Sequence, residues 1–293
     1  MTTSIVRDVP LAGLTSLELG GAARWFAEPA DEAALLEALA WADAHGIATV
    51  VIGGGSNLVV ADAGVDALVI RYVARGVAID RDGARVIVRA AAGEPWDGLV
   101  ARCVADDLGG LECLSGIPGA VGATPIQNVG AYGSEVADTL ARVRVLDRAD
   151  GSIAWWTPER CELGYRTSAF KRAPNRHVVL AVEYALTAGA IAPARYAELA
   201  HALARVSTPS LHDVREAVLG LRRGKSMVID PNDPNRRSVG SFFTNPIVAP
   251  RQADDVAARA RAMLGADIEL PRWPTADGRV KLAAAWLIER SGI

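Results

Sequence analysis

Hydrophobic residues recur along this chain at two spacings, and the changes of spacing mark its elements. Leu35, Leu36, Leu39 and Ala42 fall on one face of a helix that Asp31 can cap and Gly46 closes. The apolar run Ala48–Ile52 then reads as a buried strand, Gly53-Gly54-Gly55-Ser56-Asn57 interrupts it, and Leu58–Val60 reads as another extended stretch. Asp66–Val73 and Ala84–Ala90 predict strands, with Asp82-Gly83 as a turn before the second. Pro95 suits the first turn of a helix, and Trp96, Leu99, Val100, Cys103, Val104 and Leu108 follow at helical spacing up to Gly109-Gly110. Residues 115–133 are glycine-rich and loop-like, and Val143–Asp147 and Val178–Leu186 alternate as half-buried strands. Beyond Leu186 helical spacing dominates, through Val214–Leu221, Val256–Leu264 and Leu282–Glu289, interrupted by the polar loop Asp230–Asn235. A domain boundary is therefore expected near residue 188. No internal repeat is evident.

Composition places limits on function. A hydrophobic share of 51% with 22% charged residues describes a folded globular chain, and 293 residues suit two or three domains. With 31 basic against 34 acidic residues the net charge is −3, which argues against a broad nucleic-acid surface. Cys103, Cys113 and Cys161 are far apart, form no C-x-x-C pair and lie near no histidine cluster, so no metal site is expected and a reducing compartment is. The N-terminus has no apolar run of signal-peptide length, and no run is long enough to span a membrane, so the expectation is a soluble cytoplasmic protein, a monomer without nucleic-acid or membrane partners.

Two glycine segments carry candidate chemistry. Successive N–H groups in a turn like Gly53–Asn57 make a concave anion site because no Cβ blocks approach. The dinucleotide fingerprint fails at Leu58 and the Walker pattern fails at Gly55-Ser56-Asn57, so a plain glycine turn stays open as the alternative. In Leu114–Gly133, glycines 116, 119 and 122 recur every third residue, and Gln127 and Asn128 offer amides to an acceptor-rich ring system. The alternative there is a long connecting loop, although loops of this length inside a domain are generally functional or disordered. Two later motifs follow. In Gly164-Tyr165-Arg166-Thr167-Ser168, a guanidinium suits two-point recognition of a carboxylate or forms a structural salt bridge. In Gly240-Ser241-Phe242-Phe243-Thr244-Asn245-Pro246, a hydroxyl can donate a proton only to something strongly basic, or is a loop serine; a Ser-His-Asp set with His201 or His212 lacks the expected elbow.

GGGSNLVVAD together with GLECLSGIPGAVGATPIQNVGAYG resembles the UDP-N-acetylenolpyruvoylglucosamine reductase family, from about Leu14 to the last residue. The resemblance implies an α+β chain with the vanillyl-alcohol-oxidase/PCMH-type FAD-binding fold in two subdomains, 1–64 and 65–188, followed by a smaller α+β substrate-binding domain, 189–293. It implies non-covalent FAD, since the loops hold no histidine and Cys113 is the nearby thiol. Cofactor contacts would come from Gly53, Gly54, Gly55, Ser56, Asn57, Ser115, Gly116, Gly119, Gly122, Thr124, Gln127 and Arg222. NADPH would be co-substrate and UDP-GlcNAc-enolpyruvate the substrate, bound by Tyr165, Tyr196, Lys225 and Asn245. Arg166 would hold the substrate carboxylate and Ser241 would protonate C2. The alternatives are another oxidoreductase of this fold or a flavin-binding protein without full activity. The family continues beyond the helix near Glu289 into a portion carrying a catalytic glutamate that no residue here matches. A chain complete at Ile293 would turn over weakly and leave Leu282, Ala285 and Trp286 uncovered.

Overall fold

Asp31 accepts a hydrogen bond from the Ala34 N–H at 2.8 Å and so caps α1 (Glu32–Ala44) at the residue that the sequence marks. The computed structural model describes residues 4–191, 196–240 and 242–292. The buried face of α1 is Ala34, Leu35, Ala38, Leu39 and Ala42, whereas Leu36 is exposed. Ala38 completes the i, i+3, i+4, i+7 stripe, and Leu36 sits about 100° off it.

The chain forms two compact units, Met1–Val239 and Gly240–Ile293. The first contains two main sheets. β1 (Val6–Pro10), β2 (Ala22–Ala27), β3 (Thr49–Ile52) and β4 (Val65–Arg71) form one sheet in the order β1-β2-β4-β3. β1 is antiparallel to β2, while β2 and β3 both run parallel to β4, so β3 is an edge whose carboxyl end leads straight into the glycine loop. The interior of β4, Ala67 to Ile70, is fully buried, as a strand covered on both faces requires. Leu58–Val60, expected as a strand, has none. Its neighbour Ala61 instead accepts backbone hydrogen bonds from Gly21 and Gly64, which hold the stretch as a loop.

The second sheet joins β5 (Val77–Asp82), β6 (Arg85–Ala91), β10 (Leu140–Asp147), β11 (Ile153–Trp156) and the twelve-residue β12 (His177–Ala188) in the order β11-β10-β12-β6-β5, with β7 (Leu108–Gly109) added to the end of β12. The sheet changes between Arg71 and Val77, so β4 belongs with residues before 64 rather than after. α2 (Trp96–Ala105) packs Trp96, Leu99, Val100 and Cys103 into the common core, ends short of Gly109, and turns through Asp107 at φ 56°. A small hairpin, β8 (Gly130–Ala131) and β9 (Ser134–Glu135), and the short helices α3 (Pro158–Cys161) and α4 (Ala169–Arg172) complete this part.

The change of texture near residue 188 introduces α5 (Ala197–Leu203) and α6 (Leu211–Arg223). Their faces Leu199, Leu203, Val214 and Val218 bury around Cys113, so both helices lie within the first compact unit. The second unit sets α7 (Pro250–Leu264) and α8 (Ala284–Arg290) beside a three-stranded sheet of β13 (Ile247–Val248), β14 (Arg272–Pro274) and β15 (Val280–Leu282). Leu282, expected on an uncovered surface, is buried with Ala253, Ala257 and Leu270, and Trp286 packs partly against them. No helix of the described residues is long and apolar enough to cross a membrane.

Candidate active site

The two glycine segments meet. Ser56 Oγ donates to the Pro118 carbonyl at 3.0 Å, and Asn57 Nδ2 donates to Gln127 Oε1 at 3.3 Å. A Cβ on Gly54 would lie 2.7 Å from Gly119 Cα, so only glycine lets the two backbones close to this distance. Gly55, at φ +68°, brings its own Cα so near Leu14 that a Cβ would sit 1.8 Å from the Leu14 carbonyl oxygen. The Gly55 carbonyl accepts from the Ser16 N–H at 3.3 Å.

This cradle fits an anionic, flat cofactor. Among the described residues the backbone N–H groups of Gly54, Gly55, Ser56 and Asn57 make no hydrogen bond, and the buried Ser16 hydroxyl beside them has no partner either. Successive unpaired N–H groups in a glycine turn suit an anion. Between the end of β3 and the start of β12 a small open pocket of about 80 Å³ is lined by Ile52, Gly53, Tyr72, Ala92, Gly122, Ala123, His177, Val178 and Val179. Its apolar walls suit a ring system.

The second segment is held firmly from beneath. Trp96, Val121 and Gly122 donate backbone hydrogen bonds to Gly119, Glu94 and Ala92 at 3.0, 2.9 and 2.8 Å. The Gly116 N–H donates to Asp97 Oδ1 at 2.6 Å, and the same carboxylate takes two bonds, 2.7 and 2.8 Å, from Arg215 of α6. Burial opposes ionisation of Asp97, but the Arg215 guanidinium and the Gly116 N–H outweigh it and hold the carboxyl below its ordinary pKa. Ser115 and Thr124 are buried with their hydroxyls committed: Ser115 donates to Glu112 O at 2.6 Å, and Thr124 donates to Val121 O at 2.8 Å and meets the Tyr184 hydroxyl at 2.8 Å. Asn128, read from sequence as an amide free to meet a ring, is buried and engaged at both ends. It donates to Glu135 Oε2 at 2.6 Å and accepts from the Ala137 N–H at 3.0 Å, which braces the β8–β9 hairpin.

Arg166 occupies a tight turn in which Gly164 and Thr167 exchange backbone hydrogen bonds of 3.0 and 3.2 Å. Its φ is 54°, the left-handed region that costs a residue with a Cβ about 1 kcal/mol or more. The turn is tied to the second glycine segment: Ser168 donates from Oγ to Ile126 O at 2.5 Å while capping α4, and Asn128 Nδ2 reaches Gly164 O at 3.4 Å. Lys171 Nζ donates to the Arg166 carbonyl at 3.0 Å. The Arg166 guanidinium itself forms no ion pair or hydrogen bond with any other described residue, so it is no structural salt bridge here. Tyr165 beside it is exposed.

A second cluster gathers at the end of α6. Tyr196 meets Tyr132 edge-on with ring centroids 5.6 Å apart, and Lys225 Nζ lies 2.7 Å from Glu198 Oε2. Arg222 is buried, donates from Nη2 to Met227 O at 2.8 Å and leaves its Nε without a partner; that nitrogen is 3.4 Å from where a Cβ on Gly116 would stand. Burial pulls the Arg222 pKa down and pushes the Tyr132 phenol up, the latter opposed by Lys225 and Arg222. Sequence reasoning named Tyr196, Lys225 and Arg222 but missed Tyr132, Glu198, Asp97 and Ser168. Tyr132 and Ser168 stand in motifs already singled out, whereas Glu198 and Asp97 carry no local signal.

Ser241 lies outside the described residues. Asn245 belongs to the second unit, where its Oδ1 accepts from the Ala284 N–H at 2.9 Å at the start of α8. Cys113 is buried among α5 and α6, and burial raises its thiol pKa to about 11, which disfavours the reactive thiolate.

A family profile described as "FAD binding domain" matches residues 23–157. The UDP-N-acetylenolpyruvoylglucosamine reductase of Saccharopolyspora erythraea is 50% identical over 286 residues, covering 96% of this chain and 78% of that protein. Its namesake from Nocardia farcinica is 51% identical over 296 residues, covering 99% and 75%. Among solved structures, the reductase from Thermus caldophilus superposes with a TM-score of 0.57 at 24% identity over 99% of this chain and 93% of that one, which shows a shared fold.

Proposed function

This chain belongs to the UDP-N-acetylenolpyruvoylglucosamine reductase family, and on that premise we propose which of its residues perform the family's reaction. It is an α+β oxidoreductase with an FAD-binding domain, acting in peptidoglycan precursor synthesis with NADPH as co-substrate and a small-molecule substrate. The reaction is reduction of UDP-GlcNAc-enolpyruvate to UDP-N-acetylmuramate. FAD, when bound, supplies hydride transfer between NADPH and the enolpyruvyl double bond.

The cradle at Gly54–Asn57 binds the cofactor diphosphate through its unpaired N–H groups, with Gly53 and Ser56 shaping the turn. Gly116, Gly119 and Gly122 allow close approach, Gln127 closes the cradle onto Asn57, and Ser115 and Thr124 hold the segment's shape rather than offering hydroxyls. Arg222 faces the ring system. Arg166 receives the substrate carboxylate, and its fixed charge stabilises the enolate that builds there during reduction. Ser241 delivers the proton to C2. Tyr165, Tyr196, Lys225 and Asn245 hold the sugar-nucleotide, the last three at its diphosphate. We place the protein in the cytoplasm as a monomer, with the two sheets of the first compact unit binding FAD and the chain after residue 188 serving the substrate.

One observation supports this reading most: an uncommitted guanidinium stands on a turn bonded to the same glycine segment that meets the anion cradle. Purified protein is expected to be yellow and to oxidise NADPH only when UDP-GlcNAc-enolpyruvate is added. Ser241→Ala is expected to keep NADPH-driven flavin reduction and lose substrate reduction. Equal loss of both half-reactions would assign Ser241 a structural part.

A further inference from the structure

Lys225 and Arg222 lie three residues apart at the C-terminal end of α6, joined by the Lys225 N–H to Arg222 O bond of 3.1 Å. That end of a helix attracts cations, and here it displays two beside the Tyr132–Tyr196 pair. The free ammonium is already taken. Glu198, two residues after Tyr196 on α5, places Oε2 at 2.7 Å from Lys225 Nζ. The two side chains are 37% and 43% exposed, so a dissolved anion can reach them. The pair is also of a kind that opens easily. A lysine is a rotatable point charge meeting one oxygen, unlike Arg215 of α6, a 13% exposed guanidinium that meets both carboxylate oxygens of Asp97 on α2. Burial alone would loosen the Lys225 proton, and Glu198 more than offsets it, keeping the ammonium charged.

A carboxylate is the protein's nearest likeness to a phosphate edge: anionic, planar and purely accepting. An incoming diphosphate must compete with Glu198 for the charge and the N–H donors of Lys225. We propose that Glu198 is an affinity-setting residue of the substrate site, an internal stand-in for the substrate phosphate that occupies Lys225 in the free protein and is displaced when the diphosphate binds. This rests on the reading that Lys225 holds the diphosphate. The displaced carboxylate stays within a few ångströms of the ligand, so it opposes binding twice, by competition and by repulsion. An exposed pair of this kind corresponds to at most about a fivefold change in an equilibrium constant.

The test is calorimetric binding of uridine 5′-diphosphate to the oxidised, FAD-loaded protein in wild type, Glu198→Gln, Lys225→Met and the double variant, with Glu198→Ala as a second substitution should the glutamine variant fold poorly. Glu198→Gln is expected to tighten binding about two- to fivefold at low salt, with the gain shrinking at high salt. Lys225→Met is expected to weaken binding at least tenfold, and in that background Glu198→Gln is expected to change the Kd less than twofold. If Lys225→Met weakens binding while both Glu198 variants leave it unchanged or weaker, Glu198 merely braces α5 against α6 and the proposal is overturned. If Lys225→Met has no effect, the diphosphate is held elsewhere, and the underlying reading falls with it.

Discussion

The Ser56 hydroxyl donates to the carbonyl of Pro118 at 3.0 Å across 62 residues of sequence, and this bond sits where the edge strand of the first sheet ends and the segment beneath α2 begins. It closes the two glycine segments into one cradle. Asn57 and Gln127 repeat the closure a few residues on, and the Gly54–Gly119 contact makes it tight.

Gly54→Ala tests that closure. The added Cβ would stand 2.7 Å from Gly119 Cα, backbone against backbone, so the loops must part. Flavin content, read from the 450 nm to 280 nm absorbance ratio, is expected to fall at least tenfold, with about 1–3 kcal/mol of stability lost to overpacking. Gly13→Ala, whose Cβ meets nothing within 4 Å, is the control and is expected to stay yellow.

Arg166→Met separates a substrate-binding guanidinium from a structural one. No ion pair among the described residues is lost, so the melting temperature is expected to stay within about 2 °C of wild type. Flavin content and its reduction by NADPH are expected to persist, while stopped-flow reoxidation by UDP-GlcNAc-enolpyruvate slows about 10²- to 10³-fold. A drop in melting temperature with normal reoxidation would assign Arg166 to the fold.

Asp97→Asn probes the brace under Gly116. Arg215 would be left half-paired at a largely buried position, which costs about 2 kcal/mol at neutral pH. The sign of its pH dependence follows from the depressed pKa. The carboxylate stabilises the fold fully above its unfolded value near about 4, and that stabilisation fades as pH falls through the lower folded value. Urea midpoints of wild type and variant are therefore expected to differ at pH 7 and to converge as the pH is lowered below about 4. A gap that persists would mean that the pair contributes through shape rather than charge.

The three thiols should be silent in the native protein. Burial lifts Cys103 and Cys161 to about 12 and Cys113 to about 11, and none is exposed. Titration with a chromogenic disulfide at pH 8 is expected to release almost no thiolate until denaturant is added, and then three equivalents. One fast-reacting thiol in the folded protein would contradict the packing of α2, α3 or α5–α6, according to which cysteine reacts.

Local patterns in the chain determined more of the elements than of their partners. The α1 stripe, the cap at Asp31, the strands around Val69, Val88 and Val182, and the glycines able to come within touching distance of another backbone all follow from neighbours a few residues apart. The pairs that make the site do not. Ser56 with Pro118, Asp97 with Arg215 across 118 residues, and Lys225 with Glu198 join segments whose sequences say nothing of each other. Nor did local propensity place Asn128, Tyr132 and Arg166 at positive φ, a conformation that residues with a Cβ adopt only where surrounding contacts outweigh its cost. Leu58–Val60 makes the same point in reverse: its apolar residues permit a strand, but the bonds that Gly21 and Gly64 donate to the Ala61 carbonyl hold the stretch as a loop. Spacing and steric permission are properties of short stretches of chain, whereas which surfaces meet is settled by the free energy of packing the whole.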